Sequence, residues 1–459
     1  MKNLLVYAAI LLLIPACSGG TNKASDENNK KNPNLLMIIV DDLTTTLGCY
    51  EHPMVKTPNI DRLAEEGVLF EHAYCNYAVC GPSRSSFLSG LYPESINVLD
   101  NRKGLQDELG ERITLPDMFR RNGYYTMSLG KIFHTMKEEH NDYKAWDEIY
   151  GFSATEIGKK GESRNMTGGE LKWCWWQATE GDDEDQPDGQ VAAKAVEFIK
   201  ADHDKPFFLA VGFHKPHDPF IAPKKYFDMY PLEECDPHLL PEEWSPPYPH
   251  TLPGQTEIFN SFTEQDKREF LRSYYACTSF MDAQLGKVIK ALKESGQYEN
   301  TLIMFFGDHG YHLGEHNWWN KVTIFELGTR APFIVAGKGI TEKGVRSGSM
   351  FEFIDIYPTL ADYMEIEDVP DHLEGKSFAA VMKDPSLPFR SEVRAIVNRG
   401  KMIGRTVKNS EWRYTEWDEG KKGRELYDQV KDPIEYNNLA EKPEYKELVS
   451  EMRELLYKE

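Results

Sequence analysis

The chain has 459 residues, enough to bury a large core, and this length favours one large α/β domain with a smaller one appended. Lys and Arg number 53 against 74 Asp and Glu, a formal net charge of -21. Such a surface repels nucleic acid, so an anionic ligand has to be drawn in by a local basic pocket.

The chain opens with Met1-Lys2-Asn3, an apolar run from Leu4 to Ile14, and Pro15-Ala16-Cys17. A run this short behind a positive head reads as an export signal over residues 1–17, not a membrane span. Its end resembles a bacterial lipobox, which makes Cys17 the expected lipidation site and the polar stretch 18–32 a flexible tether. The expected location is the periplasm or outer membrane of a Gram-negative bacterium, with membrane contact through the lipid alone.

Beyond the tether, Asn34 to Val40 reads as a buried strand. Helices are expected from Thr57 to a stop at Gly67, from Thr114 to Asn122 ahead of Gly123, and from Gln190 to Lys200. Phe207 to Phe213 is a second continuous apolar strand, Thr263 to Ser295 one long helix, and Thr301 to Phe306 a third strand. The Pro-rich or acidic stretches Gly181 to Gly189 and Tyr230 to Pro253 read as surface excursions that frame a cleft. Strands at Val393 to Val397, Gly400 to Val407 and Trp412 to Trp417 precede a C-terminal helix. The expected fold is an α/β sandwich over 33–387, with a large mixed central sheet flanked by helices, and a small antiparallel unit over 388–459.

Two strands end in chemistry. Leu35 to Val40 runs into Asp41-Asp42, and Leu302 to Phe306 into Gly307-Asp308-His309-Gly310. Ligands bind at the carboxyl ends of strands in such sheets, and adjacent carboxylates call for a cation between them. If the strands are neighbours, Asp41, Asp42, Asp308 and His309 converge on an oxygen-rich site suited to Ca2+ or Mg2+. Cys80-Gly81-Pro82-Ser83-Arg84 precedes a helical turn from Ser85 to Gly90, which places Cys80 just before a helix N-terminus with free N–H groups. No Cys-x-x-Cys spacing occurs, so Cys49, Cys75, Cys174, Cys235 and Cys277 read as small buried hydrophobes.

The Cys80 to Arg84 motif with Ser85 to Gly90 resembles the signature of the type I sulfatases, in which the cysteine becomes formylglycine. The resemblance continues through Pro33 to Asp42, Thr57 to Leu63, Gly130-Lys131, Thr301 to Gly310 and Glu425 to Asp428. It implies an alkaline-phosphatase-like sandwich, a formylglycine-generating maturation enzyme as partner, and one Ca2+ held by Asp41, Asp42, Asp308, His309 and the modified Cys80. The hydrated aldehyde attacks sulfur and its second hydroxyl expels sulfate. On the same resemblance Arg84 stands beside the nucleophile, Lys131 and His134 hold and deprotonate it, and His214 and Lys321 meet the sulfate, either being the leaving-group acid.

Gly48-Cys49-Tyr50, Gly130 to His134, Gly212 to Phe220, Leu313 to His316 and Arg413 to Trp417 resemble the iduronate-2-sulfatase branch and its bacterial relatives acting on glycosaminoglycans. This implies a sulfated oligosaccharide substrate and a uronate 2-O-sulfate. Lys103, Lys215 and Arg405 are candidates for its carboxylate, and Trp318 or Trp319 for stacking on a sugar. The competing readings are a choline or aryl sulfatase, a phosphodiesterase or phosphonate hydrolase, and a glycan-binding lipoprotein without turnover.

Overall fold

The computed structural model describes residues 32–242, 244–254 and 256–458. The expected signal, the Cys17 lipidation site and the tether up to residue 31 lie outside the described residues. No helix among the described residues is long and apolar enough to cross a membrane.

Pro33–Glu459 form one compact unit built on an eight-stranded mixed sheet. Its strands are β1 (Asn34–Val40), β2 (Gly67–Tyr74), β3 (Tyr125–Gly130), β4 (Glu148–Tyr150), β7 (Phe207–Phe213), β9 (Thr301–Gly307), β10 (Phe333–Gly337) and β11 (Val345–Glu352). A three-stranded sheet holds β5 (Gly161–Asn165), β6 (Trp175–Thr179) and β8 (Phe220–Pro223). A four-stranded antiparallel sheet holds β12 (Val393–Arg399), β13 (Met402–Lys408), β14 (Trp412–Trp417) and β15 (Arg424–Asp428). The large sheet runs in the order β11-β2-β10-β9-β1-β7-β3-β4. β1 pairs in parallel with both β7 and β9, while β10 is antiparallel to both its neighbours.

The period of two in a strand explains the layers. Leu35, Met37 and Ile39 of β1 enter one core with Phe87 and Leu88 of a helix, whereas Leu36, Ile38 and Val40 enter the opposite core with Ile60 and Leu285. Both faces are covered, so the strand is apolar from Leu35 onward and every residue of it is buried. Helices α1 (Pro58–Glu65) and α2 (Cys80–Ser89) lie on opposite faces. The longest helix among the described residues, Glu264–Glu294, starts at a reciprocal capping box between Thr263 and Asp266 and lies on the α1 face.

Three local expectations need correction. Gly67 does not cap α1 in a left-handed conformation; it opens β2, where a Cβ would meet the Val335 carbonyl oxygen at 2.1 Å. Gly189 does not close a surface excursion, because the helix Pro187–Lys200 has already begun and carries Asp188 inward. The C-terminal sheet has one strand more than the three expected, β15.

At the ends of the parallel pair β3 and β7, Gly130 lies opposite Gly212. Gly130 has φ 73°, and a Cβ on it would meet the Gly212 carbonyl oxygen at 2.3 Å. A Cβ on Gly212 would meet the Lys131 carbonyl oxygen at 2.2 Å, and the atoms around it are backbone and cannot swing aside. Gly212→Ala is therefore expected to destabilise the protein by about 2 kcal/mol or more, read as a lower unfolding temperature than that of Gly254→Ala, a position with open space around it.

Candidate active site

The parallel pairing of β1 with β9 sets Val40 opposite Gly307, so Asp41 and Asp308 leave the sheet side by side. The ladder continues to that point: Asp308 N–H donates to the Val40 carbonyl at 3.0 Å and Asp41 N–H to that of Phe213 at 3.1 Å. Asp42 then turns into the left-handed region at φ 60°, which a short polar residue tolerates. Its N–H donates to Asp308 Oδ1 at 3.1 Å, and its carbonyl accepts from the Tyr274 hydroxyl at 2.7 Å. The long helix thereby fixes the turn that presents both aspartates.

Cys80 is the first residue of α2 and not, as expected, a residue ahead of it; Val79 caps the helix without a side-chain hydrogen bond. The Gly81 N–H is taken by Asn101 Oδ1 at 2.8 Å. Cys80 Sγ lies 3.4 Å from His309 Nε2, 3.9 Å from Asp42 Oδ1 and 3.2 Å from Lys321 Nζ. His309 Nδ1 faces the Gly310 carbonyl at 2.9 Å and donates to it, which turns Nε2 toward Cys80, Asp42 and Asp308. Donor atoms of Asp41, Cys80, Asp308 and His309 lie within 4.8 Å of one another, as do those of Asp41, Asp42, Cys80 and His217.

The acidic floor is answered by cations. Lys131 Nζ bonds Asp41, Lys321 Nζ bonds Asp42, and Arg84 bonds Asp308 through Nε at 2.8 Å and approaches Asp41 at 3.4 Å. Burial acts to raise Asp41, but Lys131, His217, Arg84 and Lys321 outweigh it and hold this carboxyl well below the usual range. Burial raises Asp42, against the pull of Lys321. Burial also acts to lower Lys321, and Asp42, Cys80 and Asp41 together lift it well above its ordinary value. Burial, reinforced by the charge of Asp41, raises the Cys80 thiol far above its usual range, so the unmodified side chain is no thiolate nucleophile.

This arrangement fits a hard dication. The floor offers three fully buried carboxylates and an imidazole nitrogen, and Asp42 Oδ2 is buried without a hydrogen-bond partner. Arg84 lies one helical turn after Cys80 on α2. Its Nη1 donates to the carbonyls of Lys131 and Ile132, so its fork is engaged by the carboxylates and by backbone.

Around the floor stand the histidines. His134 Nδ1 and His214 Nε2 are buried without partners, and both residues line a cavity of about 210 Å³ beside Lys131. Burial, with the charge of Lys131, brings His134 down to about 3, so it is neutral near neutral pH. Burial and the charges of Lys215 and Lys131 hold His214 well below its ordinary value. The backbone N–H groups of His214 and Lys215 are fixed by Asp188 at 2.9 and 2.8 Å. His217, given no role from the sequence, points Nε2 at Asp41 and Asp42, 3.9 Å from each; the spacing His214-Lys215-Pro216-His217 was the available signal.

Several candidates lie elsewhere. Lys215 Nζ is spent on the carbonyls of His217 and Pro219, at 2.9 and 2.7 Å, and so holds its own loop. Lys103 pairs with Glu108 at 2.6 Å. Arg405 pairs with Glu94 and lines a separate cavity of about 640 Å³ that none of the site residues reach. Trp318 and Trp319 are 2 % and 1 % exposed and pack against Phe259, Phe262 and Phe270, so neither can stack on a sugar. The described cysteines are unpaired, and all but Cys49 are buried.

Comparison with known proteins agrees with this geometry. The sulfatase family profile matches residues 33–366, and the profile described as N-sulphoglucosamine sulphohydrolase, C-terminal, matches 314–459. A sulfatase of Formosa agariphila is 32% identical over 438 residues, covering 88% of this chain and 82% of that protein. Iduronate 2-sulfatase of Mus musculus is 34% identical over 353 residues, covering 71% of this chain and 63% of the mouse enzyme. A solved structure described as a 2-O GAG sulfatase superposes with a TM-score of 0.71 at 23% identity, over 93% of this chain and 91% of that one. The chain belongs to the sulfatase family and is a sulfuric ester hydrolase.

Proposed function

We propose that the enzyme removes the 2-O-sulfate of uronic acid residues in glycosaminoglycan oligosaccharides, using formylglycine made from Cys80 by a maturation enzyme and one Ca2+. The observation that carries the chemistry is Cys80 at the head of α2 with Asp42, His309 and Lys321 all within 3.9 Å of its sulfur. The substrate class rests on the likeness to iduronate 2-sulfatase and, for the fold, to the 2-O GAG sulfatase.

Asp41, Asp42, Asp308, His309 and position 80 would hold the cation, which when bound offsets carboxylate repulsion and polarises a sulfate oxygen. The hydrated aldehyde supplies a hydroxyl that attacks sulfur and a second whose deprotonation expels sulfate. Lys131 and Lys321 place two ammonium groups over this floor, and a sulfate group gives them a partner other than Asp41 and Asp42. His134, neutral and with Nδ1 free, is the base. Lys321 keeps its proton in the field of Asp42, Cys80 and Asp41, and we assign it as the leaving-group acid, with His214 contacting the sulfate. Anchoring through Cys17 would hold this unit at the periplasmic or outer membrane surface, where oligosaccharides pass.

The assignment of Lys321 predicts a leaving-group signature. For Lys321→Ala the loss in kcat/KM should grow by about tenfold or more from activated aryl sulfates to sugar sulfates, while for His134→Ala it should stay uniform. Calcium at about 100 times its Kd should stabilise the protein by about 2.7 kcal/mol, read as a higher unfolding temperature, and Asp308→Asn should abolish that rise. For the substrate, 2-O-, 4-O-, 6-O- and N-sulfated disaccharides are compared on calcium-loaded protein whose Cys80 peptide has the mass of formylglycine. Release from the 2-O-sulfated one alone, lost in Cys80→Ala, is the expected result; release from another isomer, or faster turnover of aryl phosphates than aryl sulfates, would move the assignment.

A further inference from the structure

Lys321 reaches the floor from a loop whose backbone is held in a disfavoured shape. Val322, the next residue, has φ 71°. A β-branched side chain is sterically opposed to this region, because its Cβ crowds the neighbouring carbonyl, so something must hold the turn. Hydrogen bonds on both sides of it do so. The Trp318 indole N–H donates to the Lys321 carbonyl at 2.8 Å, and Asn320 Oδ1 accepts the Lys321 N–H at 2.8 Å. The Val322 N–H donates to the carbonyl of Ala78 at 3.1 Å, two residues ahead of Cys80.

The remaining group, the Val322 carbonyl, accepts from Arg399 Nη2 at 2.7 Å. Arg399 is the last residue of β12, in the C-terminal sheet. Its other donors go to the carbonyls of His250 at 3.0 Å, Asn398 at 3.2 Å and Thr251 at 3.2 Å, and its guanidinium lies over the Trp417 ring at 5.5 Å. A guanidinium bound to carbonyl oxygens in this way is a rigid fork and not half of an ion pair.

We propose that Arg399 is a positioning residue for the reaction: by pinning the Val322 carbonyl it keeps the loop in the left-handed turn that delivers Lys321 to position 80. Without the pin, Val322 relaxes to negative φ and the Lys321 ammonium leaves Asp42 and the Cys80 side chain. The proposal rests on the reading of Lys321 as a group that serves the sulfate. It also gives the C-terminal sheet a part in the chemistry.

Glycine adopts positive φ without strain, and this supplies the test. Arg399→Met and Arg399→Lys are made alone and with Val322→Gly in the full calcium-loaded, matured chain. The single Arg399 variants should lose about 10- to 100-fold in kcat with KM within about threefold of wild type. Val322→Gly alone should stay within about twofold, and added to either Arg399 variant should recover about tenfold of the lost kcat. Hydrogen exchange of the peptide spanning residues 318–326 should quicken in the Arg399 variants and slow again in the double variants. A folded Arg399→Lys with wild-type kcat, or a loss that Val322→Gly does not relieve, would overturn the proposal, as would unchanged exchange in both Arg399 variants. If wild type releases no sulfate at all, the proposed function fails, and the exchange data alone decide whether Arg399 pins the loop.

Discussion

Holding carboxylates together out of water is the constraint on which this structure turns. Asp41, Asp42 and Asp308 are each fully buried. Two such charges 4 Å apart repel by about 4 kcal/mol even at the effective dielectric typical of proteins. Arg84, Lys131 and Lys321 answer them one for one, and each cation is delivered by a different element: α2, the end of β3, and the loop before Val322. The buried network is therefore also what ties the sheet, α2 and that loop into one geometry. Removing any single partner leaves a charge uncompensated, which is far costlier than replacing a pair.

A second buried network does the same work further out. Arg413 of β14 bonds Glu435 at 2.6 Å and Glu326 at 2.7 Å, and the Tyr74 hydroxyl reaches the other oxygen of Glu326 at 2.9 Å. Glu326 follows Lys321 closely in the chain, so the segment that carries the lysine is clamped to the C-terminal sheet at both Val322 and Glu326. The aromatic core beneath it, with Trp318 and Trp319, is rigid for the ordinary reason that large rings pack densely. Residues that look like binding platforms in the sequence are here the support for a binding residue.

What the sequence made legible follows from burial. β1, β7 and the helix Glu264–Glu294 were readable to within a residue, because a strand covered on both faces is continuously apolar and a helix with Thr263 at its head announces its start. The Asp41-Asp42 and Asp308-His309 pairs were readable because a strand that ends abruptly in carboxylates has few structural explanations. The role of His217 was not, since a histidine near another gives no sign of which one turns inward. Nor was the engagement of Arg84 by Asp308, 224 positions away. Lys215, Trp318 and Trp319 misled for a related reason: composition names what a side chain can bind, and only packing decides whether backbone has already claimed it.

The placement of β1 bears on how the chain reaches this state. It is the first strand of the large sheet to be synthesised, yet its two neighbours, β7 and β9, begin at Phe207 and Thr301. Asp42 and Asp308 meet across 266 positions. Loops of that span are slow to close, and parallel pairing rewards closure only when both partners are present. A seven-residue strand without a polar residue after Asn34 must then wait, unpaired, at least until β7 is complete at Phe213, and for its second partner until Gly307. Its exposure to intermolecular pairing during that interval makes the nascent chain a natural client for holding factors.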